Sequence, residues 1–210
     1  ILSINRKVFW VFIILFSRFS YSNDLYLDIF SEVLNTTSYD IYDNLEKIKY
    51  KDECSYHYIK GMFYYRGIVF EQKLDKALLN LKVAGDCGNK YAIRQLVAHF
   101  SEEKFFSEDR LTHWYKKGDE YNDPITSANY AYFLYYNDEN YDHGEVIRLL
   151  EKRLEYKNAA PAFPLYIMSQ VYLKENNECK AMKYLIKSIE NGGVGYIDEY
   201  ISLKKKNTCK

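Results

Sequence analysis

The sequence predicts an all-α chain, a right-handed α-solenoid of about four antiparallel helix hairpins closed by helical caps. Three observations carry this. Helix breakers are scarce, with 9 Gly and 3 Pro in 210 residues. Apolar and small residues recur at intervals of three and four, as on a helix, and not at two. The small residues Gly67, Ala77, Ala84, Gly85, Gly88 and Ala92 return in weaker copies at a period of about 34 to 37 residues, the range of helical hairpin repeats. Hairpins of that length cannot each bury a face alone, so they stack.

The first hairpin takes its first helix from Cys54 to Arg66, where Tyr56, Lys60, Gly61 and Tyr64 share one side and Gly67 stops it. Its second helix runs from Leu74 to Asp86 with Ala77, Leu78, Leu81, Ala84 and Gly85 on one stripe, and Gly88 ends it. Gly61, Ala77, Ala84 and Gly85 mark where helices approach closely, since a larger side chain would hold them apart. A second copy starts at Ala92 with Leu96 and Phe100 and continues from Leu111 with Trp114 and Tyr115. A third begins at Ala128 and continues from Gly144. A fourth ends its first helix at Tyr172, and in its second Lys180, Ala181, Tyr184, Ser188 and Gly192 repeat the register of Lys76, Ala77, Asn80, Ala84 and Gly88.

These residues resemble the Sel-one-like repeat, a relative of the tetratricopeptide repeat. The first copy matches at Gly61, Tyr64, Gly67, Lys76, Ala77, Ala84 and Gly88, the second at Ala92, Leu96, Trp114, Tyr115 and Lys117, and the fourth at Tyr172, Lys180, Ala181, Tyr184 and Gly192. Residues 54–193 are covered. Lys60 stands where the family has Leu, and Val97 and Phe133 replace the close-approach Gly. The family register points a set of first-helix residues outward on a concave, protein-binding face: Tyr58, Met62, Arg94, Tyr130, Leu134, Tyr166 and Gln170. The alternative is that the tyrosines bury against the neighbouring hairpin.

The ends read as caps and an export signal. Residues 23–53 carry two helical patterns, one from Asn23 and one from Ser38, as an N-terminal cap; residues 194–210 form a C-terminal helix and a lysine-rich tail. Residues 1–22 have basic Arg6 and Lys7, an apolar run from Val8 to Phe16, and small residues at Ser20 and Ser22, the layout of a secretory signal peptide. The run is too short to span a bilayer comfortably, and Arg18 interrupts its extension. The expected location is therefore periplasmic or secreted, with no stable membrane insertion after cleavage. The 29 basic and 29 acidic residues balance, which disfavours nucleic acid as a partner.

Four cysteines in an exported chain imply disulfides. Three connectivities are possible. In an antiparallel hairpin the start of the first helix lies beside the end of the second, which pairs Cys54 with Cys87; Cys179 opens the last second helix, and Cys209 ends the cap that returns along it. No C-x-x-C pair and no histidine at ligand spacing accompany them, so neither a metal nor another cofactor is expected. Asn35 opens an Asn-Thr-Thr glycosylation acceptor, relevant only in a eukaryotic secretory path.

No catalytic set emerges from the spacing. His57 and His99 fall on first helices, His113 on a second helix and His143 in a loop, none with a Ser or Cys placed beside it. Asp142 and Glu145 lack the alternating ligands of a calcium loop. The expectation is a non-enzymatic exported adaptor that binds another protein. Family analogy suggests an immunity protein that neutralises an envelope-acting toxin. The alternatives are a cysteine-stapled hydrolase of an envelope polymer and a secreted factor that binds a host protein. A histidine within hydrogen-bond reach of a carboxylate or hydroxyl in one cleft would favour the hydrolase.

Overall fold

Short-range signals decide where each helix begins and ends. The computed structural model describes residues 38–156 and 160–206, with side chains described from Leu45 onward. Ten α-helices and two short 3-10 turns make up the described residues, with no strand among them. The expected signal peptide, the expected helix from Asn23 and Cys209 lie outside the described residues. The chain divides into two compact units, residues 1–121 and 122–210.

In the first unit, α1 (Ser38–Lys51) packs on α2 (Glu53–Arg66), α2 on α3 (Leu74–Asp86), α3 on α4 (Lys90–Ser101), and α4 on α5 (Glu108–Glu120). The Asp52 side chain accepts the Ser55 N–H at 3.1 Å and so opens α2. Gly67, at φ 65°, closes it by donating its N–H to the Phe63 carbonyl at 2.9 Å. Asn89 opens α4 by accepting from Ala92 N–H at 3.0 Å. Buried Ile59, Phe63, Leu81, Ile93, Leu96, Phe100, Leu111 and Tyr115 fill the space between these helices.

Close approach explains the glycines that punctuate this unit. A Cβ on Gly61 would lie 2.9 Å from the Leu81 side chain and 3.1 Å from its backbone nitrogen, so α2 meets α3 at that point. A Cβ on Gly85 would lie 2.6 Å from the Trp114 ring, which crosses from α5 onto α3. Ala77 and Ala84 are fully buried on the same stripe. Cys54 and Cys87 are disulfide-bonded with Cα atoms 6.1 Å apart, joining the start of α2 to the end of α3 as the antiparallel hairpin requires.

The second unit contains α6 (Pro124–Asn137), α7 (His143–Leu154), α8 (Ala162–Lys174), α9 (Glu178–Glu190) and α10 (Ile197–Lys206), and within it each helix from α7 onward packs on its predecessor. Helix α6 begins earlier than the apolar pattern from Ala128 suggests. Asp123 caps it by accepting from Thr126 N–H at 3.2 Å, and Pro124 occupies its first turn, where a missing N–H costs nothing. His143, expected in a loop, is instead the first residue of α7, because the Asp142 side chain caps that helix by accepting from Glu145 N–H at 3.1 Å. Ser188 occupies the position equivalent to Ala84 and donates to the Ala162 carbonyl at 2.6 Å, tying α9 to α8. Buried Val146, Leu149, Leu150, Ile167, Met168, Val171, Ala181 and Leu185 form this core.

Three of the second helices end alike, while α7 ends at Glu155 in the right-handed region. Gly88 (φ 92°), Asn122 (φ 52°) and Gly192 (φ 98°) hold the left-handed turn after α3, α5 and α9. Asn is the non-glycine residue that tolerates this region best, so the repeat signal continues through Asn122 without a glycine.

Candidate functional site

The second unit gathers tyrosines from three elements onto one half-exposed face. Helix α6 supplies Tyr132, Tyr135 and Tyr136, α8 supplies Phe163 and Tyr166, and the 3-10 turn Val194–Tyr196 supplies Tyr196. Helical spacing explains the set: positions 132, 135 and 136 fall on one side of α6, as 163 and 166 do on α8. The Tyr166 and Tyr196 rings stack in parallel, 3.8 Å apart at 5°. Phe163 lies beside Tyr166 at 6.5 Å and against Tyr132 at 4.9 Å. Tyr135 meets Tyr136 edge to face at 4.8 Å, and the Lys174 ammonium sits 4.6 Å from the Tyr135 ring centre.

One carboxylate belongs to this face. Glu199, in the first turn of α10, accepts a hydrogen bond from Gln170 Nε2 at 2.6 Å. Burial, and then the Glu199 charge, push the phenols of Tyr135, Tyr166 and Tyr196 above the usual tyrosine value. All three hydroxyls thus remain protonated at neutral pH within the field of Glu199.

Of the residues expected on a binding face, Tyr166 and Gln170 take part in this cluster, and Leu134 is half-exposed on α6. Arg94 is half-exposed on α4 with its guanidinium 5.3 Å from the Tyr91 ring. Tyr58, Met62 and Tyr130, expected to point outward, are buried at 8%, 2% and 7% exposure. Tyr58 turns onto Tyr91 of the next hairpin, ring centres 6.0 Å apart. The apolar gain of covering a ring exceeds any benefit of leaving it to solvent. Sequence reasoning missed Tyr132, Tyr135, Tyr136, Tyr196 and Glu199. The i, i+3, i+4 spacing of the α6 tyrosines was the available signal.

The histidines lie apart from one another. His57 Nδ1 is 2.9 Å from Asn80 Oδ1, an amide, and its Nε2 lies 3.9 Å from Glu53 Oε1, beyond hydrogen-bond reach. His99 is 1% exposed, stacked on Phe105 at 4.3 Å, with Nδ1 lacking a hydrogen-bond partner. Burial, and then Arg110, hold its pKa below the ordinary histidine value. His113 stands at the surface, edge-on to Trp114 at 4.9 Å, beside a shallow groove of about 330 Å³ that Lys82, Asp86, Asp109 and Arg110 also line. His143 Nδ1 approaches Glu175 Oε1 at 3.2 Å, half-exposed. Glu145 pairs with Arg148 at 2.7 Å, and Asp142 is occupied by its capping role. Among the described residues no group of three or more His, Cys, Asp or Glu is placed to hold a metal ion. No helix among them is long and apolar enough to cross a membrane.

No family model and no curated protein matches the chain.

Proposed function

We propose that this chain is an exported, non-enzymatic scaffold that binds another protein through the tyrosine face of its second unit. The observation that carries the reading is the half-exposed cluster of Tyr132, Tyr135, Tyr136, Tyr166 and Tyr196 beside Glu199. Tyrosine supplies large contact area at little entropic cost and keeps a polar tip for hydrogen bonding, so it is enriched where proteins dock. The Cys54–Cys87 bond fits an oxidising compartment, and with the N-terminal export pattern it supports a periplasmic or secreted location. The Sel-one-like repeat resemblance supports the same reading. It extends to a narrower one, an immunity protein that neutralises an envelope-acting toxin.

Co-purification from the native envelope, with wild type and a Tyr166→Ala/Tyr196→Ala double variant, tests the scaffold reading. The expected result is a stoichiometric protein partner that wild type retains and the folded double variant loses. A wild-type monomer without any protein partner at micromolar concentration would refute it. The hydrolase alternative has one observation in its favour, the His143–Glu175 contact; polymer cleavage abolished by His143→Ala would replace the scaffold reading with it.

A further inference from the structure

We propose that the face formed by Tyr135, Tyr166, Tyr196 and Glu199 receives a cationic side chain of the partner protein, a guanidinium in preference to an ammonium. The inference rests on the scaffold reading above and specifies the chemistry of the partner.

Three features of the face converge on a cation. The first is unmet polarity. Among the described residues the hydroxyls of Tyr135, Tyr166 and Tyr196 have no hydrogen-bond partner, and Glu199 has Gln170 as its one donor. No lysine, arginine or histidine among them lies within ion-pair distance of Glu199. Water satisfies these groups while the face is open; a partner that covers it must replace that water.

The second is the cost of covering a lone carboxylate. A neutral surface laid over Glu199 would strand an ionised group away from water, which is unfavourable unless a partner compensates. A partner that brings a positive donor removes the penalty and gains a charge-assisted hydrogen bond. Gln170 does not neutralise the charge, since an amide donates without carrying one.

The third is the ring geometry. Aromatic faces attract cations through their quadrupole, and the neighbouring Lys174 already shows it, 4.6 Å from the centres of both Tyr135 and Tyr141. The Tyr166 and Tyr196 rings lie parallel, and a planar guanidinium stacks on a flat ring more completely than a tetrahedral ammonium does. Glu199, held by Gln170 one turn beyond Tyr166 on α8 and three residues after Tyr196, places its charge beside this pair, where such a group carries several N–H donors.

The test titrates the full-length protein with an arginine tripeptide amide, its citrulline counterpart and the lysine analogue, followed by NMR of the tyrosine side chains. Citrulline keeps the shape of arginine and removes its charge. The expected order is arginine, then lysine, with citrulline not saturating, and with shifts confined to Tyr135, Tyr166 and Tyr196. Glu199→Gln, which keeps the acceptor for Gln170, should weaken the arginine peptide by about tenfold, the worth of one charge-assisted hydrogen bond. Tyr196→Phe should weaken it less, and Glu155→Gln, at the exposed C-cap that follows α7, should leave it unchanged. Equal binding of arginine and citrulline peptides, no effect of Glu199→Gln, or saturable binding of a neutral sugar at the same tyrosines would overturn the proposal. The two readings fail separately: if the co-purified partner is lost with the Tyr166→Ala/Tyr196→Ala variant yet held by Glu199→Gln, the scaffold stands and the cation does not.

Discussion

His99 shows how a single side chain inherits its chemistry from the packing around it. On α4 it is an ordinary helical residue by sequence, yet Tyr65, Phe100 and Phe105 enclose it and its Nδ1 finds no partner. Burial disfavours the imidazolium most, and the Arg110 charge from α5 adds to the effect. Folded His99 therefore binds a proton less readily than unfolded His99, whose pKa is about 6.5. Stability is complete above that value and declines as pH falls from it toward the lower folded pKa. Denaturation followed between about pH 7 and pH 5 should show this loss, and His99→Gln, which does not titrate there, should flatten the slope. An equal slope in the variant would assign the acid sensitivity elsewhere. Little of this was legible beforehand, because no local spacing announces that Phe105, on a 3-10 turn, folds back onto the ring.

At the scale of elements, small residues set how near one helix comes to another. Gly85 on α3 faces the Trp114 ring from α5, and the 2.6 Å that would separate its Cβ from that ring leaves no space for a methyl group. Gly85→Ala should lower stability by about 1 to 3 kcal/mol in denaturant unfolding, the usual cost of overpacking. In a Trp114→Leu background the same substitution should cost much less, since the obstructing ring is gone; additive effects would show that the two do not meet. The glycines and alanines were readable as close-approach positions from their spacing alone. Their opposite numbers, Leu81 and Trp114, were not, because spacing along one helix says which side is thin but not which residue fills the gap.

For the molecule as a whole, the described helices within each unit pack chiefly on their chain neighbours, and each unit has its own core. Damage should therefore stay local, as expected where stability is a sum of neighbouring interfaces. Removing the Cys54–Cys87 bond, with 33 residues of separation, costs about 3 to 4 kcal/mol in the chain-entropy model. Hydrogen exchange on Cys54→Ala/Cys87→Ala should accelerate across residues 53–120 and change little across 162–190. Uniform acceleration would show a single cooperative body instead. By itself the sequence determined the helical class, most helix limits, the pairing of neighbouring helices and the Cys54–Cys87 bond, because caps, periodicity and hairpin geometry all act over a few tens of residues. Only the tertiary structure decided which tyrosines stay at the surface. Tyr58 and Tyr130 went inward while Tyr135, Tyr166 and Tyr196 gathered beside Glu199, because exposure depends on how far each helix rotates against its neighbours, and a side chain cannot encode that alone.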